Sequence, residues 1–369
     1  MQNILVTGGA GFIGSHLVDA LIDRGHRVRI LDAVVEQVHR DGPQHINPKA
    51  EFIQGDVCDA DVVNRALEGV DVVYHKAAEV GVGQSMYGIT RYVRANDLGT
   101  AVLLEAIVKR RPQIRKLVVA SSMSIYGEGA YSCPNGCAVQ PKLRTLSQLL
   151  DRDWDVDCPQ CGAKVTPIPV NEDKPLFPTS VYAISKQDQE QFCLVVGRAY
   201  DIPVVALRYF NVYGPRQALS NPYTGVCAIF SGKLLNDQQP LIFEDGEQTR
   251  DFVHVSDIVQ ANLLALETDR ADYQALNIGT GSPVSISEIA SMLARGLNKD
   301  IQPQVTGKYR EGDIRHCVSD ISRARTLLGY EPKVKLADGI PELLEWVRKQ
   351  QAADTPEATA ELEQHHLVR

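Results

Sequence analysis

The sequence predicts an α/β fold: a doubly wound parallel sheet with a second, smaller α/β lobe. Apolar strands alternate with helical patterns through the first half of the 369-residue chain. This alternation is typical of a parallel sheet whose crossover helices cover both faces. A glycine-rich segment, TGGAGFIG, separates the first strand from the first helix. Ligands of such sheets bind at the carboxyl ends of the strands, so we expect the functional residues there.

The predicted strands of the first half end at polar or small residues; they are NILVTG, RVRILD, AEFIQGD, DVVYHKAA and KLVVASS. Helical periodicity covers residues 12–24, 59–68 and 87–110. The segment PVVALRYF predicts one further buried strand. Beyond it the spacing is irregular, with helical patterns at 285–298 and 337–350, as expected of a smaller lobe.

The composition disfavours several classes of function. A net charge of −8 argues against a nucleic-acid or anionic-membrane surface. No apolar run approaches the roughly 20 residues that span a bilayer. The chain enters a strand at once, which leaves no room for a signal peptide. We therefore expect a cytoplasmic protein with reduced thiols and without nucleic-acid or membrane partners.

The glycine-rich segment predicts a dinucleotide site in a Rossmann domain. Glycine permits a tight strand-to-helix turn and lets the backbone approach a pyrophosphate at the helix N-terminus. The motif residues assigned to this contact are Gly8, Gly11, Phe12, Ile13 and Gly14. Asp32 ends the second strand, where a carboxylate binds ribose hydroxyls and disfavours a 2′-phosphate, so we predict NAD rather than NADP. Asp56 and Val57 follow the third strand and are placed to meet the adenine; a turn or helix cap is the alternative for Asp56.

Tyr182 and Lys186 form the predicted acid/base pair. Four residues apart on a helix, they share one face. An ammonium there favours the phenolate, so a tyrosine with an ordinary pKa of about 10 can act near neutrality. Alone, this spacing usually marks a solvated helix face. Behind a dinucleotide motif, and with Ser122 closing the fifth strand, it predicts an enzyme that oxidises or reduces a hydroxyl or carbonyl carbon.

The motifs together resemble the extended short-chain dehydrogenase/reductase family, the nucleotide-sugar epimerases and dehydratases. The resemblance covers about residues 1–130 and 167–345. It is carried by TGGAGFIG, GDV, HKAA, SSMSIYG, YAISK, RYFNVYGPRQ, TRDFVHVSD and YREGD. The family often has an apolar residue where Lys76 stands.

The resemblance implies a role for individual residues. Ser122, Tyr182 and Lys186 would be catalytic. The residues implied to lie along the cofactor are Ala77, Ala78 and Asn96, besides Tyr182 and Lys186. Those implied to bind a nucleotide-diphosphate sugar are Ser122, Met123, Ser124, Asn211, Leu241, Phe243, Arg250, Arg310 and Cys317, with Leu241 and Phe243 beside the base.

Four reactions share this scaffold: 4-epimerisation, 4,6-dehydration, decarboxylation and 4-keto reduction. Family dehydratases typically carry an acidic pair directly after the catalytic serine or threonine. Met123 and Ser124 hold those positions here, and neither side chain can replace a carboxyl group. Asp32 further favours an epimerase that retains NAD over a keto-reductase that uses NADPH. A cofactor-bound scaffold without activity is disfavoured, because every catalytic position holds a competent residue.

Four cysteines predict a metal site. Cys133-x3-Cys137 and Cys158-x2-Cys161 lie twenty residues apart and resemble a zinc ribbon. Four thiolates with no open coordination position indicate structural zinc. Iron in a rubredoxin-like site is the first alternative and disulfides are the second. The segment lies between Ser122 and Tyr182, and it would act as a lid, as an oligomer contact or as surface decoration.

The substrate prediction rests on resemblance. The segment AAEVGVGQSMY, together with the four-cysteine insert, most resembles dTDP-L-rhamnose 4-epimerases, which form dTDP-6-deoxy-L-talose. UDP-glucose, UDP-galactose or their N-acetyl forms are the alternatives. Cys317 resembles a gatekeeper that leaves room for larger sugars; otherwise it is a small buried hydrophobe. The helices around 87–110 and 180–199 resemble a family homodimer interface.

We therefore divide the chain into four parts. Residues 1–130 and 167–207 are the predicted NAD-binding Rossmann domain, and residues 131–166 are the four-cysteine insert. Residues 208–350 are mainly the predicted nucleotide-sugar domain. Residues 351–369 are polar and predicted to be a flexible tail.

Overall fold

A computed structural model describes residues 1–40, 42–111, 113–219, 221, 223, 225–351 and 357–368. The strands in this part of the chain are β1 (Asn3–Thr7), β2 (Arg27–Asp32), β3 (Glu51–Gln54), β4 (Val72–His75), β5 (Lys116–Ser122), β6 (Ala130–Ser132), β7 (Thr166–Ile168), β8 (Val204–Tyr209), β9 (Asn211–Tyr213), β10 (Leu241–Ile242), β11 (Thr249–His254), β12 (Gln274–Ile278), β13 (Pro283–Ser285), β14 (Gln304–Val305) and β15 (His316–Cys317).

The α-helices in the same residues are α1 (Phe12–Asp23), α2 (Ala60–Ala66), α3 (Val82–Ser85), α4 (Ile89–Tyr92), α5 (Gly99–Lys109), α6 (Leu146–Leu150), α7 (Val181–Ala199), α8 (Val226–Leu235), α9 (Val255–Glu267), α10 (Ile286–Gly296), α11 (Ser322–Leu328), α12 (Leu336–Val347) and α13 (Glu357–Gln364). A π-helix covers Val93–Leu98, and a 3₁₀-helix covers Met123–Tyr126. No helix of the described residues has the length and apolarity needed to cross a bilayer.

Seven parallel strands form the main sheet, in the order β3-β2-β1-β4-β5-β8-β12. The strand order reverses between β1 and β4, which opens a crevice at their carboxyl ends. The predicted parallel α/β sheet is confirmed. It places the ends of β1, β2, β4, β5 and β8 along one edge, where a ligand can reach all of them.

Helices cover both faces of this sheet, because its strands present apolar side chains on both faces. Leu5 and Val6 are adjacent on β1, and each is fully buried in a different apolar cluster. The cluster around Val6 includes Leu17 of α1 and Ile258 of α9. The cluster around Leu5 includes Leu103 of α5, with α2 and α7 on the same face. Burial on both faces explains why the strands read as continuous apolar runs.

A second, smaller layer lies beyond β8. Strands β9, β11, β13 and β15 form a mixed sheet. A third apolar cluster contains Phe230 of α8, Leu293 of α10 and Leu343 of α12. Because β9 follows β8 after one residue, this layer begins at the edge where the main-sheet strands end.

The four-cysteine segment leaves and rejoins the chain through a two-stranded neck. Strands β6 and β7 pair antiparallel, with Tyr131 opposite Pro167. The insert is therefore closed at its base, and its two ends lie side by side.

Candidate functional site

A cavity of about 910 Å³ opens at the carboxyl edge of the main sheet. The predicted residues that line it include Gly8, Gly11, Phe12, Ile13, Gly14, Asp32, Asp56, Val57, Ala77, Ala78, Ser122, Met123, Ser124, Tyr182, Lys186, Asn211, Leu241, Phe243, Arg250 and Arg310. The structure therefore brings together, in one cavity, residues that lie up to 302 positions apart in the sequence, from Gly8 to Arg310.

The glycine-rich turn forms one end of the cavity. Gly8 has a φ of +69°, and a Cβ there would lie 2.7 Å from the backbone nitrogen of Ala77. A Cβ on Gly14 would lie 2.1 Å from the carbonyl oxygen of Gly8. Gly11 caps α1 without a side-chain hydrogen bond, so the first-turn N–H groups remain for a ligand. Backbone without side chains at a helix N-terminus fits the pyrophosphate of a dinucleotide.

Asp32 lies beside this turn with its carboxylate held in place. The Ala10 N–H donates to Oδ2 (3.0 Å) and the Val34 N–H donates to Oδ1 (2.9 Å). The carboxylate lies on the cavity wall at the end of β2, where a ribose can reach it. Asp56 also lines the cavity and accepts from the Cys58 N–H (2.8 Å), so it serves as a turn cap as well.

Tyr182 and Lys186 lie one turn apart near the start of α7. Ser180 caps this helix by accepting from the Ala183 N–H (3.1 Å), and the Tyr182 N–H donates to Ser85 Oγ (3.0 Å). Burial raises the pKa of Tyr182 above 10, and a hydrogen bond with Ser122 offsets part of this rise. The sequence predicts that the Lys186 ammonium lowers the pKa of this phenol. The pKa of Tyr182 is raised instead, because burial disfavours the charged phenolate and is the largest effect on this group.

The Lys186 ammonium is held in place by hydrogen bonds to buried polar groups. It donates to the Ala120 carbonyl and to Gln189 Oε1 (2.6 Å). The Gln189 amide nitrogen in turn donates to Thr100 Oγ1 (2.9 Å), which lies 2.8 Å from a ring nitrogen of His75. Burial lowers the pKa of Lys186 to about 8. Sequence reasoning missed Gln189, although its spacing of three residues after Lys186 places it on the same helix face.

Two predicted residues do not lie on the wall. Asn96 is fully buried; its amide accepts from the Glu79 N–H (2.8 Å) and donates to Ser185 Oγ (2.8 Å), so it joins the π-helix to α7. Cys317 is 1% exposed, packs in the core and pairs with Arg250 between β15 and β11. The structure thus favours the alternative interpretation of Cys317, a small buried hydrophobe, over the gatekeeper.

The far end of the cavity carries two arginines and an aromatic ring. Arg310 lies over the Phe243 ring at 4.9 Å and donates to Asp313 Oδ2 (2.7 Å). Arg250 donates to the Ile314 carbonyl (2.7 Å) and lies 3.5 Å from Asp313. Asp313 thus holds both guanidinium groups at one wall, an arrangement suited to a diphosphate.

Comparison with known proteins identifies the family. The chain matches the model of the NAD dependent epimerase/dehydratase family over residues 4–147 and 160–279. It belongs to this family. The resemblance read from the sequence motifs is confirmed, as is the expectation of an enzyme from a nucleotide-sugar family that uses NAD.

Individual relatives span nearly the whole chain. The dTDP-L-rhamnose 4-epimerase of Burkholderia thailandensis is 36% identical over 95% of this chain and 96% of its own length. The UDP-glucose 4-epimerase of Mycolicibacterium smegmatis is 34% identical over 93% and 98%. The solved structure of the UDP-glucuronic acid 4-epimerase of Bacillus cereus, in complex with UDP-glucuronic acid and NAD, is 31% identical, with a TM-score of 0.77 over 94% of this chain and 99% of that one.

The four cysteines of the insert converge. Their sulfur atoms all lie within 4.8 Å of one another, and all eight cysteines are free thiols in this structure. Two turns bend the chain around the cluster, with Gly136 at φ +74° and Gly162 at φ +71°. Four sulfurs bound at 2.3 Å to one tetrahedral zinc ion would lie about 3.8 Å apart. The donor set and its spacing fit such an ion.

The C-terminal segment differs from the predicted flexible tail. Residues 357–368 include α13 and end in a bridge between Arg310 and Val368. Leu362 and Leu367 line the cavity. The Tyr87 hydroxyl donates to Glu361 Oε2 (2.8 Å), and the Tyr87 ring stacks on His365 at 4.2 Å. The apolar residues of this polar segment are widely spaced, which concealed the contact at the sequence level.

Proposed function

We propose that the chain is an NAD-dependent nucleotide-sugar 4-epimerase, which inverts carbon 4 of the sugar through a transient 4-keto sugar. One observation carries the proposal: Ser122, Tyr182 and Lys186 line the same cavity as the glycine-rich turn and the pair Arg250 and Arg310. A sugar whose diphosphate is bound by the arginines would then lie between the tyrosine and a nicotinamide.

The glycine-rich turn and Asp32 would hold the cofactor. When bound, NAD would supply a reversible hydride acceptor for carbon 4. Tyr182 accepts the proton of the 4-hydroxyl and gives it back, so the proton count is unchanged over one turnover. Ser122, hydrogen-bonded to Tyr182, orients the phenol and the sugar oxygen. Lys186 stabilises the phenolate state by its charge.

Dehydration is disfavoured by the residues after Ser122. Met123 and Ser124 begin the 3₁₀-helix and line the cavity wall. The Ser124 hydroxyl donates to Ser122 Oγ (3.0 Å), so it supports the catalytic serine. A thioether carries no transferable proton, and an aliphatic serine hydroxyl is too weak an acid to replace the carboxyl group that elimination of water requires.

The proposed substrate is dTDP-L-rhamnose, with dTDP-6-deoxy-L-talose as the product. The support is the relative from Burkholderia thailandensis, at 36% identity over 95% of this chain, and the sequence resemblance described above. UDP-glucose is the second candidate, since a UDP-glucose 4-epimerase is 34% identical. Because Cys317 is buried beneath the wall, it gives no argument for either sugar.

A panel of dTDP-, UDP- and GDP-sugars, incubated with the protein without added cofactor and followed by NMR, tests the reaction and the substrate together. We expect inversion at carbon 4 of dTDP-L-rhamnose without net NADH formation. A 4-keto-6-deoxy product would refute the epimerase. Inversion of UDP-hexoses alone would keep the mechanism and replace the substrate.

We further propose the cofactor, metal and assembly. The retained cofactor is NAD, in the part formed by residues 1–130 and 167–207, with residues 208–350 contributing most of the sugar-nucleotide end. The four cysteines bind structural zinc, with iron as the alternative.

A homodimer forms through α4, the π-helix and α7, whose exposed apolar residues are Ile89, Val93, Leu98, Ile184, Phe192 and Val195. Light scattering of Val195→Glu tests the dimer: it should halve the mass of the wild-type particle.

A further inference from the structure

A buried arginine of the four-cysteine insert, Arg144, contacts the segments that line the cavity. Arg144 donates to both carboxylate oxygens of Glu244 (2.9 and 2.7 Å) and to the carbonyls of Trp154 (3.0 Å) and Asp313 (3.1 Å). The side chains of Arg144 and Glu244 are 3% and 2% exposed. A buried bidentate pair of this kind fixes geometry as well as contributing energy.

Glu244 directly follows Phe243, which lines the cavity, and it has a φ of +56°. A left-handed backbone at a residue other than glycine persists only where its surroundings fix it. Arg144 and Arg315 both contact the Glu244 carboxylate, at 2.7 Å and 3.3 Å. The conformation of the wall segment Leu241–Glu244 is therefore held by two arginines, one of which belongs to the insert.

The insert also supports the segment that carries Arg310. Leu149 and Trp154 of the insert form a buried apolar cluster with Tyr309, the residue before Arg310. Asp155 accepts from Arg315 Nε (3.1 Å) and lies three residues before Cys158. The insert thus packs against both segments that line the far end of the cavity.

We infer that the insert sets nucleotide affinity, with Arg144 as the positioning residue for the base and diphosphate subsite. The inference rests on the proposed function, since it takes this end of the cavity as the nucleotide end. Of the roles left open by the sequence, it favours a fixed support over a lid or surface decoration. Loss of Arg144 leaves the Glu244 charge buried with one partner fewer, so the segment Leu241–Glu244 must rearrange.

The test compares Arg144→Met with Lys164→Met. Lys164 belongs to the same insert, but its exposed ion pairs with Asp153 (2.7 Å) and Asp157 (3.0 Å) stay within the insert. We expect Arg144→Met to weaken the calorimetric Kd for dTDP and for UDP at least tenfold, with kcat at saturating sugar and NAD content unchanged. Lys164→Met should bind both nucleotides like the wild type.

Asp155→Asn provides a milder variant, because its side chain is 62% exposed and only its contact with Arg315 is altered. We expect a two- to fivefold weaker Kd and an unchanged melting temperature. Wild-type affinity in both Arg144→Met and Asp155→Asn would overturn the inference, as would a lower kcat at unchanged affinity. If the wild type binds neither dTDP nor UDP, the proposed function fails instead.

Discussion

The Lys76 ammonium donates a hydrogen bond to the Tyr209 hydroxyl at 2.9 Å, inside the cavity that holds Tyr182 and Lys186. Tyr209 also accepts from the Asn262 amide (2.8 Å). No carboxylate lies within ion-pair distance of Lys76 among the residues that the structure describes. Burial and then the charge of Lys186 hold the pKa of Lys76 well below 10.5. An amine of lowered pKa thus lies on the cavity wall beside the predicted catalytic residues.

Replacing Lys76 by methionine should stabilise the protein at pH 7. Because the folded pKa is lower than the unfolded one, the unfolded chain binds more protons between the two values, and wild-type stability rises with pH through that window. Lys76→Met removes this rise and increases the free energy of unfolding at pH 7 by on the order of 1 kcal/mol. Denaturant unfolding at pH 7 and pH 10 measures both effects. Equal pH dependence in variant and wild type would contradict the burial argument.

Tyr182→Phe should lower kcat by about 100-fold or more, because it deletes the proton carrier. The nucleotide-sugar Kd should change by less than about threefold, since the ring remains. Tyr209→Phe is the matched control: its phenol also faces the cavity but is bonded to Lys76 and Asn262. We expect it to keep kcat within severalfold of wild type. Equal losses in the two variants would remove Tyr182 from its assigned role.

The pH profile should report the pair of Tyr182 and Lys186. The active phenolate–ammonium state carries one proton fewer than the fully protonated pair. The fully protonated pair loses its first proton with a pKa of about 8, because burial lowers the pKa of Lys186 to this value. We therefore expect kcat/KM to rise with pH up to about 8 and then level off. In Lys186→Met the proton must come from Tyr182. Because burial raises the pKa of Tyr182 above 10, the rise in kcat/KM should shift to higher pH. A profile that falls between pH 7 and 8 would be inconsistent with this assignment.

Much of this site was predictable because its signals are local in sequence. The glycines of TGGAGFIG indicate that two backbone segments approach closely, and the structure shows this approach between Gly8 and Ala77. Asp32 was predictable because the apolar pattern of β2 shows where that strand ends. The burial of Cys317 and Asn96 was not predictable, because a motif position does not say whether a side chain points to the cavity or beneath its wall. The contacts of Arg144 and Glu361 join segments 100 and 274 residues away, and no periodicity encodes such contacts.

Cys158→Ser should remove the metal of the insert. Elemental analysis of the wild type should show about one zinc per chain, because four thiolates form a closed tetrahedral site. Cys58→Ser is the control, since Cys58 lies outside the cluster and its thiol donates to the Arg94 carbonyl (3.1 Å), a bond that serine can also make. Iron in place of zinc would favour the rubredoxin-like alternative. Equal metal content in the two variants would exclude the cluster as the binding site.

Removal of residues 352–369 should weaken sugar-nucleotide binding. Leu362 and Leu367 line the cavity, and a Cβ on Gly83 would lie 2.8 Å from Leu362 Cδ2, so the segment packs closely on α3. Hydrogen bonds from Tyr223 and Tyr87 lower the pKa of Glu361, which keeps this carboxylate charged. The Glu311 N–H donates to the Leu367 carbonyl (2.9 Å), next to Arg310. The segment therefore joins the catalytic side of the cavity to its arginine side.

We expect the truncated chain to show a KM for the sugar nucleotide roughly tenfold higher, with NAD retained, because one wall of the cavity is lost while the glycine-rich turn is untouched. Glu361→Ala should raise KM in the same direction by a smaller factor. Glu363→Ala is the matched control on the same helix, since its exposed pair with Lys308 (2.6 Å) lies away from Tyr87 and Tyr223. If truncation and Glu361→Ala both leave KM unchanged, the segment covers the cavity without contributing to substrate binding.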